Sequence, residues 1–529
     1  MKRLYIWLQR YYKLTIAIGI LCISVGILYA VVHQHDSCTS TRTHAAHLTD
    51  GWYPNNRIDL VQKIDALDKQ ARTQFNAFIP SGHIKAIIAP HAGYIYSGDV
   101  AASVYLHLQK EQFKRIVILA PSHFIPFNGI ALPEFAHYKT PLGSIAIDCS
   151  VVDSLAHNAL FTKRADAFTQ EHSLEMQLPL LQKYAGTFQL VPLIVGSLSV
   201  SAIENIAHAL AEYADEQTLF IATSDFTHYG SSFEYTPFKD HIPYRIMQLD
   251  STLLRTLYTH HPRTFLELIN QTHAPVCGKN PIAILMELIT QGALGTVEPH
   301  LVAYHTSGEF APAGPHYSSV SYAGLLYTRP YATPLQEQLN AYEKHALLQL
   351  ARATLAFYLS SKPTVPLDLL VPVLSPTMLA PYAAFVTVYN TSKQPKELRG
   401  CLGVIETDES LYRVIIDRAR ALAQGEDTRF APLTEDELRD ITLEISVLTK
   451  PHPIARYQDI VLGTHGIILS NGLQRALFLP KVPVEFAWDL ATTLTQLSIK
   501  AGLNPHAWRD TATTFEAFES IDFEEIHRN

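Results

Sequence analysis

The fold of this chain is indicated by AIIAPHAGY at residues 86–94, a short apolar run that ends in proline and histidine. A similar order returns in IVILAPSH at residues 116–123 and in FIATSDFTH at residues 220–228. Apolar runs without polar alternation are typical of strands that are buried on both faces of a helix-covered sheet. Helical patterns lie between these runs, so the sequence predicts an α/β domain.

The histidines that follow these strands are candidates for a shared site. Ligands of open α/β sheets bind outside the carboxyl ends of the strands, so His91, His123 and His228 are expected to converge although they are far apart in the sequence. Any one of them is more readily explained as a packed residue at a strand end. The repetition of strand, small residues and histidine favours metal or proton chemistry instead.

Cys277 is a further candidate for this site. It lies in VCGKNP at residues 276–281, directly before an apolar helix in which Pro281 suits a first-turn position. A helix N-terminus and the nearby Lys279 favour the thiolate, which is the form that binds metals. The alternative is that Cys277 is only a small buried residue.

The polar segment EHSLEMQLP at residues 171–179 offers carboxylates to the same site. If the segment is helical, Glu171 and Glu175 lie on one face and His172 on another. All three, His172 included, are candidates for the surroundings of the metal ligands. The two carboxylates are then candidates for orienting metal-bound imidazoles, although an ordinary solvated helix start explains them equally well. Asp225 is expected to orient His228 in the same manner.

The length and charge of the chain limit its organisation and its partners. The chain has 529 residues, enough for two to four domains. Its net charge is −8 without a basic patch, so nucleic acid is not an expected partner.

Two prolines in TRPYATP at residues 328–334 mark a boundary between a domain at 50–328 and a smaller one at 335–525. The five cysteines show no repeated spacing, so a disulfide scaffold is not expected.

The N-terminus predicts a membrane anchor. Four basic residues precede the uncharged run at 14–32, which is long enough to cross a bilayer as a helix. An uncleaved anchor at 1–35 is favoured over a cleaved signal peptide, and lipidation at Cys22 is a weaker alternative. The positive-inside rule then predicts a single-pass membrane protein whose domains follow a polar tether at 36–49 on the extracytoplasmic (periplasmic) side.

The second domain has its sharpest feature in ELRGCLG at residues 397–403, which places Cys401 between glycines and near Arg399. A cysteine beside arginine is sometimes a reactive thiol. Tight packing of a glycine-flanked turn is the more frequent explanation, so the function of this motif stays open at this point.

Six separated motifs of the first domain resemble the Memo family in order and spacing. They are GWYP (51–54), APHAGYIYSG (89–98), APSH (120–123), EHSLEMQLP (171–179), TSDFTHYG (223–230) and VCGKNP (276–281). The resemblance implies a fold similar to class III extradiol dioxygenases, with His91, His123 and Cys277 as metal ligands. It also implies that His228 is an acid/base group, with Asp225 beside it. Iron is the expected metal, and the thiolate in place of a carboxylate makes copper or zinc an alternative.

Residues 337–520 resemble the AMMECR family, an α/β family without a settled activity. The resemblance rests on ELRGCLG together with DTRFAP (427–432), LEISVL (443–448), GTHGI (463–467), LFLP (477–480) and AGL (501–503). The polar residues of interest are Arg399, Cys401, Glu444 and His465. The stretch 481–485 departs from the more helical sequence expected after LFLP.

The two resemblances together predict a function and partners. They imply a membrane-anchored, non-haem iron oxidoreductase of dioxygenase type that acts on a small molecule in the AmmeMemoRadiSam process. The alternative is a non-catalytic scaffold that handles copper or iron. The expected partners are the lipid bilayer and a radical-SAM protein, which would be a separate polypeptide because the chain has no CxxxCxxC pattern.

Overall fold

A computed structural model describes residues 42–48, 51–74, 82–310, 317–329, 339–360, 365–392 and 395–525. The first domain contains strands and helices in alternation. Its strands are β1 Thr43–Ala45, β2 His83–Ala89, β3 Arg115–Pro121, β4 Ile130–Leu132, β5 His137–Thr140, β6 Gly143–Ile147, β7 Phe161–Lys163, β8 Gln189–Val195, β9 Thr218–Thr223, β10 His228–Tyr229, β11 Glu298–Thr306 and β12 Ser319–Arg329. Its helices are α1 Arg57–Gln74, α2 Gly98–Tyr105, α3 Cys149–Leu155, α4 His172–Glu175, α5 Leu178–Tyr184, α6 Val200–Ala211, α7 Ile242–Tyr258, α8 Pro262–Thr272 and α9 Lys279–Thr290.

The strands of the first domain form one sheet whose centre is parallel. The order along its main path is β1-β5-β6-β8-β3-β9-β2-β12-β10, and β8, β3, β9 and β2 run in the same direction. The central strands are buried along almost their whole length. Helices pack against both faces of such a sheet, as the continuous apolar runs predicted. The carboxyl ends of β3, β9 and β2 therefore lie side by side.

The second domain contains two smaller antiparallel sheets. Its helices are α10 Ala341–Leu359, α11 Pro376–Leu379, α12 Leu411–Ala423, α13 Lys481–Glu485 and α14 Leu490–Lys500. Its strands are β13 Ala383–Asn390, β14 Glu397–Gly403, β15 Ile441–Leu448, β16 His452–Ile454, β17 Gly466–Asn471, β18 Gln474–Phe478, β19 Thr514–Phe518 and β20 Ser520–Glu524. The strand orders are β14-β13-β15-β20 and β16-β19-β17-β18. The stretch 481–485, where the sequence departs from the AMMECR pattern, forms the short helix α13.

The predicted membrane span is corrected. Within the described residues, no helix is both long enough and apolar enough to cross a bilayer. A span needs about 20 mainly apolar residues, whereas the longest described helices, α1 and α10, carry charged side chains such as Asp65, Lys69 and Arg352. The anchor predicted at 14–32 lies outside the described residues. The transmembrane helix and the single-pass membrane protein predicted from the sequence are therefore not supported, and the supported fold class is a mixed α/β protein of two domains.

Two local features differ from the sequence-based expectation. Residues 43–45, predicted to belong to a polar tether, form β1 and pair in parallel with β5. Strand pairing uses main-chain N–H and C=O groups, which every residue except proline carries in full. A polar segment can therefore form a strand without an apolar pattern. Cys149 is disulfide-bonded, although the cysteine spacing gave no sign of a disulfide, and Cys277 and Cys401 are free thiols.

Candidate metal centre

The candidate site lies at the adjoining carboxyl ends of β2, β3 and β9. His91 follows β2, His123 follows β3, and Cys277 precedes α9. Two groups of side chains bring all their ligand atoms within 4.8 Å of one another. These groups are His91, His123 and His172, and His91, Asp225 and Cys277. The sheet thus gathers residues that are almost 190 positions apart in the sequence.

His91 is the residue common to both groups. Its ring is buried, with Nδ1 2.9 Å from Thr223 Oγ1 and Nε2 3.1 Å from Cys277 Sγ. Its backbone N–H donates to Asp225 Oδ1 at 2.9 Å. Burial lowers the pKa of His91 well below its ordinary value, and nearby His123 lowers it further. The ring is therefore neutral at physiological pH, which leaves a nitrogen lone pair for a metal.

His123 is fixed by the buried carboxylate of Glu171. Its Nδ1 lies 2.8 Å from Glu171 Oε1, and its backbone N–H donates to Oε2 at 2.6 Å. Burial alone would raise the pKa of Glu171, but the hydrogen bonds from His123 and from the Ser173 N–H lower it overall. The carboxylate only accepts, so Nδ1 carries the proton and Nε2 keeps its lone pair. Glu171 therefore fixes the orientation of the His123 ring.

Cys277 is held close to β9. The Asp225 N–H donates to its sulfur at 3.2 Å, and a Cβ on Gly278 would lie only 2.2 Å from the Thr223 carbonyl oxygen, so this approach needs glycine. The sequence predicted a thiolate, yet burial raises the pKa of Cys277 well above its ordinary value, as does the charge of Asp225. Lys279, predicted to favour the thiolate, is exposed to solvent.

His172 was expected near the metal ligands but on a different helix face from Glu171 and Glu175, and it is itself one of the metal-capable side chains. Its ring centroid lies 4.5 Å from that of His123 and 5.5 Å from that of His91. Its Nδ1 is buried and has no hydrogen-bond partner among the described residues. Burial, with a smaller contribution from His123, lowers the pKa of His172 to about 4. The helical spacing used for the prediction does not apply, because Glu171 is the extended N-cap of α4.

Glu175 makes its hydrogen bonds away from the histidines of the first metal-capable group. Its partners are not the imidazoles of the first metal-capable group but the hydroxyls of Tyr53 at 2.5 Å and Tyr138 at 3.0 Å. It also accepts the backbone N–H groups of His47 and Leu48, at 3.1 and 3.0 Å. Glu175 therefore holds the segment at 47–53 against the helix that begins at His172.

Asp225 belongs to the second metal-capable group, whereas His228 lies outside both groups, and no hydrogen bond between their side chains is seen in the described part of the chain. His228 Nδ1 lies 2.8 Å from the Phe226 carbonyl oxygen and 2.9 Å from that of Pro275. Carbonyls only accept, so Nδ1 carries the proton and Nε2 is the basic nitrogen of the neutral ring. Asp225 instead accepts from the His91 backbone, and burial raises its pKa.

The candidates of the second domain do not form one group. Cys401 and Glu444 lie on either side of Thr387 across neighbouring strands. Arg399 donates to Glu437 Oε1 at 2.7 Å and to the Ala431 carbonyl oxygen. These bonds connect β14 to the segment at 431–437. His465 precedes β17 in the other sheet, where its Nδ1 accepts the Val461 N–H at 3.1 Å.

Comparison with known proteins agrees with the two resemblances. A family model described as Memo-like protein matches residues 44–326, and a model described as AMMECR1 matches residues 348–523. The Protein memo-1 homolog of Caenorhabditis elegans is 32% identical over 301 residues, which cover 54% of this chain and 83% of that protein. Protein MEMO1 of Homo sapiens is 33% identical over 216 residues, covering 39% of this chain and 73% of that protein.

Among solved structures, uncharacterized protein PH0010 from Pyrococcus horikoshii matches 34% of this chain and 89% of its own, with 34% identity and a TM-score of 0.31. That score is too low to support an argument from the fold. The matches in sequence cover the whole first domain and include the histidine and cysteine motifs of the site. The chain belongs to the Memo family, and an AMMECR1 domain follows its Memo-like domain.

Proposed function

We propose that the Memo-like domain binds one transition metal through His91, His123 and Cys277 and acts as an oxidoreductase of the extradiol-dioxygenase type on a small molecule. Iron is the proposed metal, with copper or zinc as the alternatives. The observation that carries the proposal is the anchoring of both imidazoles through Nδ1, to Thr223 and to Glu171. Such anchoring is the usual means by which proteins orient a metal-binding histidine.

The residues fit a metal. Two imidazoles and a thiol are a donor set for a transition metal. The ligand atoms of His91 lie within 4.8 Å of that of His123 in one group and of that of Cys277 in the other, and His91 is the residue that links the two groups. Burial of Cys277 disfavours its thiolate when no cation is near, and a cation at the sulfur would offset this cost. When bound, the metal would supply open positions for substrate and dioxygen and would polarise them.

The remaining side chains bind, orient and move protons. His228 is suited to accept a proton from a substrate hydroxyl at Nε2, because its Nδ1 is held by two carbonyls. Asp225 fixes the backbone of His91. Trp52 packs on His172 with ring centroids 4.4 Å apart and helps to keep water from that side of the site.

A second candidate function is metal handling without turnover. Cys277 favours it, because a thiolate in place of a carboxylate shifts preference toward copper and zinc. His228 lies outside both metal-capable groups, so it is not expected to hold the metal. An oxidoreductase would need it to transfer a proton, whereas a metal-handling protein would not.

The separating experiment is dioxygen uptake by the iron-loaded chain with a panel of catechols. We expect uptake by the wild type and a loss of about 10²–10⁴-fold in His228→Gln, the usual contribution of a general base, while bound iron stays unchanged. His208→Gln, at an exposed position on α6, is the control and should keep full activity. If none of the catechols stimulates dioxygen uptake by the iron-loaded wild type, the metal-handling function is favoured.

A further inference from the structure

A buried carboxylate lies behind the turn that carries His228. Asp250, in the middle of α7, is fully buried. A carboxylate is costly to bury unless hydrogen bonds replace those of water, and burial accordingly raises the pKa of Asp250. The groups that offset this cost are hydroxyls and a backbone N–H rather than cations. The proposed metal chemistry gives this side chain no task.

The hydrogen bonds of Asp250 hold the residue directly before His228. Thr227 Oγ1 donates to Asp250 Oδ1 at 2.6 Å, and the Thr227 backbone N–H donates to the same oxygen at 3.4 Å. Tyr304 on β11 donates its hydroxyl to Asp250 Oδ2 at 2.7 Å. Because an ionised carboxylate only accepts, it fixes both hydroxyls as donors. The side chain and the N–H of Thr227 therefore share one buried anchor.

Strand β12 holds the other polar groups of the turn at 226–228. The Phe226 N–H donates to the Ser321 carbonyl at 2.8 Å, and the N–H and hydroxyl of Ser321 each donate to the Thr227 carbonyl at 3.1 Å. The Phe226 carbonyl oxygen faces His228 Nδ1 at 2.8 Å. The turn is thus fixed between α7 and β12, and its geometry decides where the His228 ring points.

We propose that Asp250 is a positioning residue for His228. Through Thr227 it holds the turn so that the Phe226 carbonyl keeps the ring proton on Nδ1 and leaves Nε2 for a substrate proton. This role rests on the proposed function, in which His228 accepts that proton. Asp250 belongs to neither metal-capable group. Breaking its bond to Thr227 should therefore lower the rate of turnover and leave metal binding and substrate affinity unchanged.

The first test uses the iron-loaded full chain and two replacements that leave the buried carboxylate in place. Thr227→Val keeps nearly the same shape but removes the hydroxyl, whereas Thr227→Ser keeps the hydroxyl. We expect kcat for dioxygen uptake with a catechol to fall about 10–100-fold in Thr227→Val, with KM and bound iron unchanged. Thr227→Ser should restore most of the rate. Asp250→Asn should resemble Thr227→Val, because its amide NH2 group cannot accept a proton from a hydroxyl.

A second measurement needs no turnover. Diethyl pyrocarbonate acylates neutral imidazole nitrogens, and its rate of reaction with His228 is followed by mass spectrometry of the peptide. The exposed His208 in the same chain is the internal standard. We expect severalfold faster acylation of His228 in Thr227→Val and in Asp250→Asn, because the ring is no longer held by the turn. Thr227→Ser should react at the wild-type rate.

The matched control is Thr354→Val, which removes an equally buried hydroxyl that donates to the Leu350 carbonyl of its own helix, α10. It should change neither kcat nor the acylation of His228. Unchanged acylation of His228 in Thr227→Val, or an equal loss of kcat in Thr227→Val and Thr227→Ser, would overturn the positioning role of Asp250. If the wild type takes up no dioxygen with any catechol, the proposed function fails, and the acylation rates alone decide whether Asp250 holds the ring.

Discussion

Replacement of His91 by alanine is expected to lower the affinity of the chain for zinc(II) by well over 100-fold. His91 is the residue shared by both groups of metal-capable side chains, and its Nε2 lies 3.1 Å from Cys277 Sγ. Its removal takes away a ligand and the imidazole that lies closest to the partly buried sulfur. Loss of an outer-shell partner alone typically costs about 10–100-fold in metal affinity, and loss of the ligand itself must cost more.

The affinity is measured by competition with a chromophoric chelator. Thr223→Val is the matched comparison, because it keeps His91 but removes the hydroxyl at Nδ1, and it should cost only about 10–100-fold. His208→Ala removes an exposed histidine and should change nothing. Equal affinities for zinc in the wild type and in His91→Ala would show that the proposed ligand set is wrong.

Replacement of Glu175 by alanine is expected to lower the free energy of unfolding of the first domain by about 3–5 kcal/mol. Glu175 accepts hydrogen bonds from Tyr53, Tyr138 and two backbone N–H groups. Its removal leaves these buried donors unpaired and releases the segment that carries His47. Glu175→Gln keeps one acceptor oxygen and should cost less.

The effect is measured by urea unfolding, with the exposed Glu267→Ala on α8 as the control, which should stay within about 0.5 kcal/mol. Burial alone would raise the pKa of Glu175, but hydrogen bonds from His47 and Tyr53 lower it overall. A carboxyl group whose pKa is lower in the folded than in the unfolded protein stabilises the fold at pH values above the unfolded-state pKa. This contribution is lost as the pH falls through the folded-state pKa. The advantage of the wild type should therefore shrink in acid, and an advantage that grew in acid would contradict this role.

Much of the sheet and part of the site could be predicted from the sequence. The runs that contain Ile87, Ile118 and Ile221 lack polar alternation, so they identified strands buried on both faces. His91 and His123 follow two of them directly. Because the carboxyl ends of parallel neighbours meet at one edge, local patterning was sufficient to bring these two side chains together.

The rest depended on contacts that local patterning does not encode. The position of His172 follows from the extended N-cap at Glu171, which shifts the start of the helix by one residue and changes the direction of the ring. The role of Glu175 follows from tyrosines more than 30 residues away in sequence. The burial of Cys277 depends on the close approach of Gly278 to β9, and helix-end electrostatics alone predicted the opposite effect on its pKa.

The most direct test of the metal centre is X-ray absorption at the metal edge of the zinc-loaded chain. The site predicts a first shell with one sulfur at about 2.3 Å and imidazole nitrogens at about 2.0–2.1 Å from the metal. The sulfur should disappear in Cys277→Ser and persist in Cys401→Ser. A shell of only nitrogen and oxygen in the wild type, or a sulfur that remains in Cys277→Ser, would contradict a metal bound by His91, His123 and Cys277.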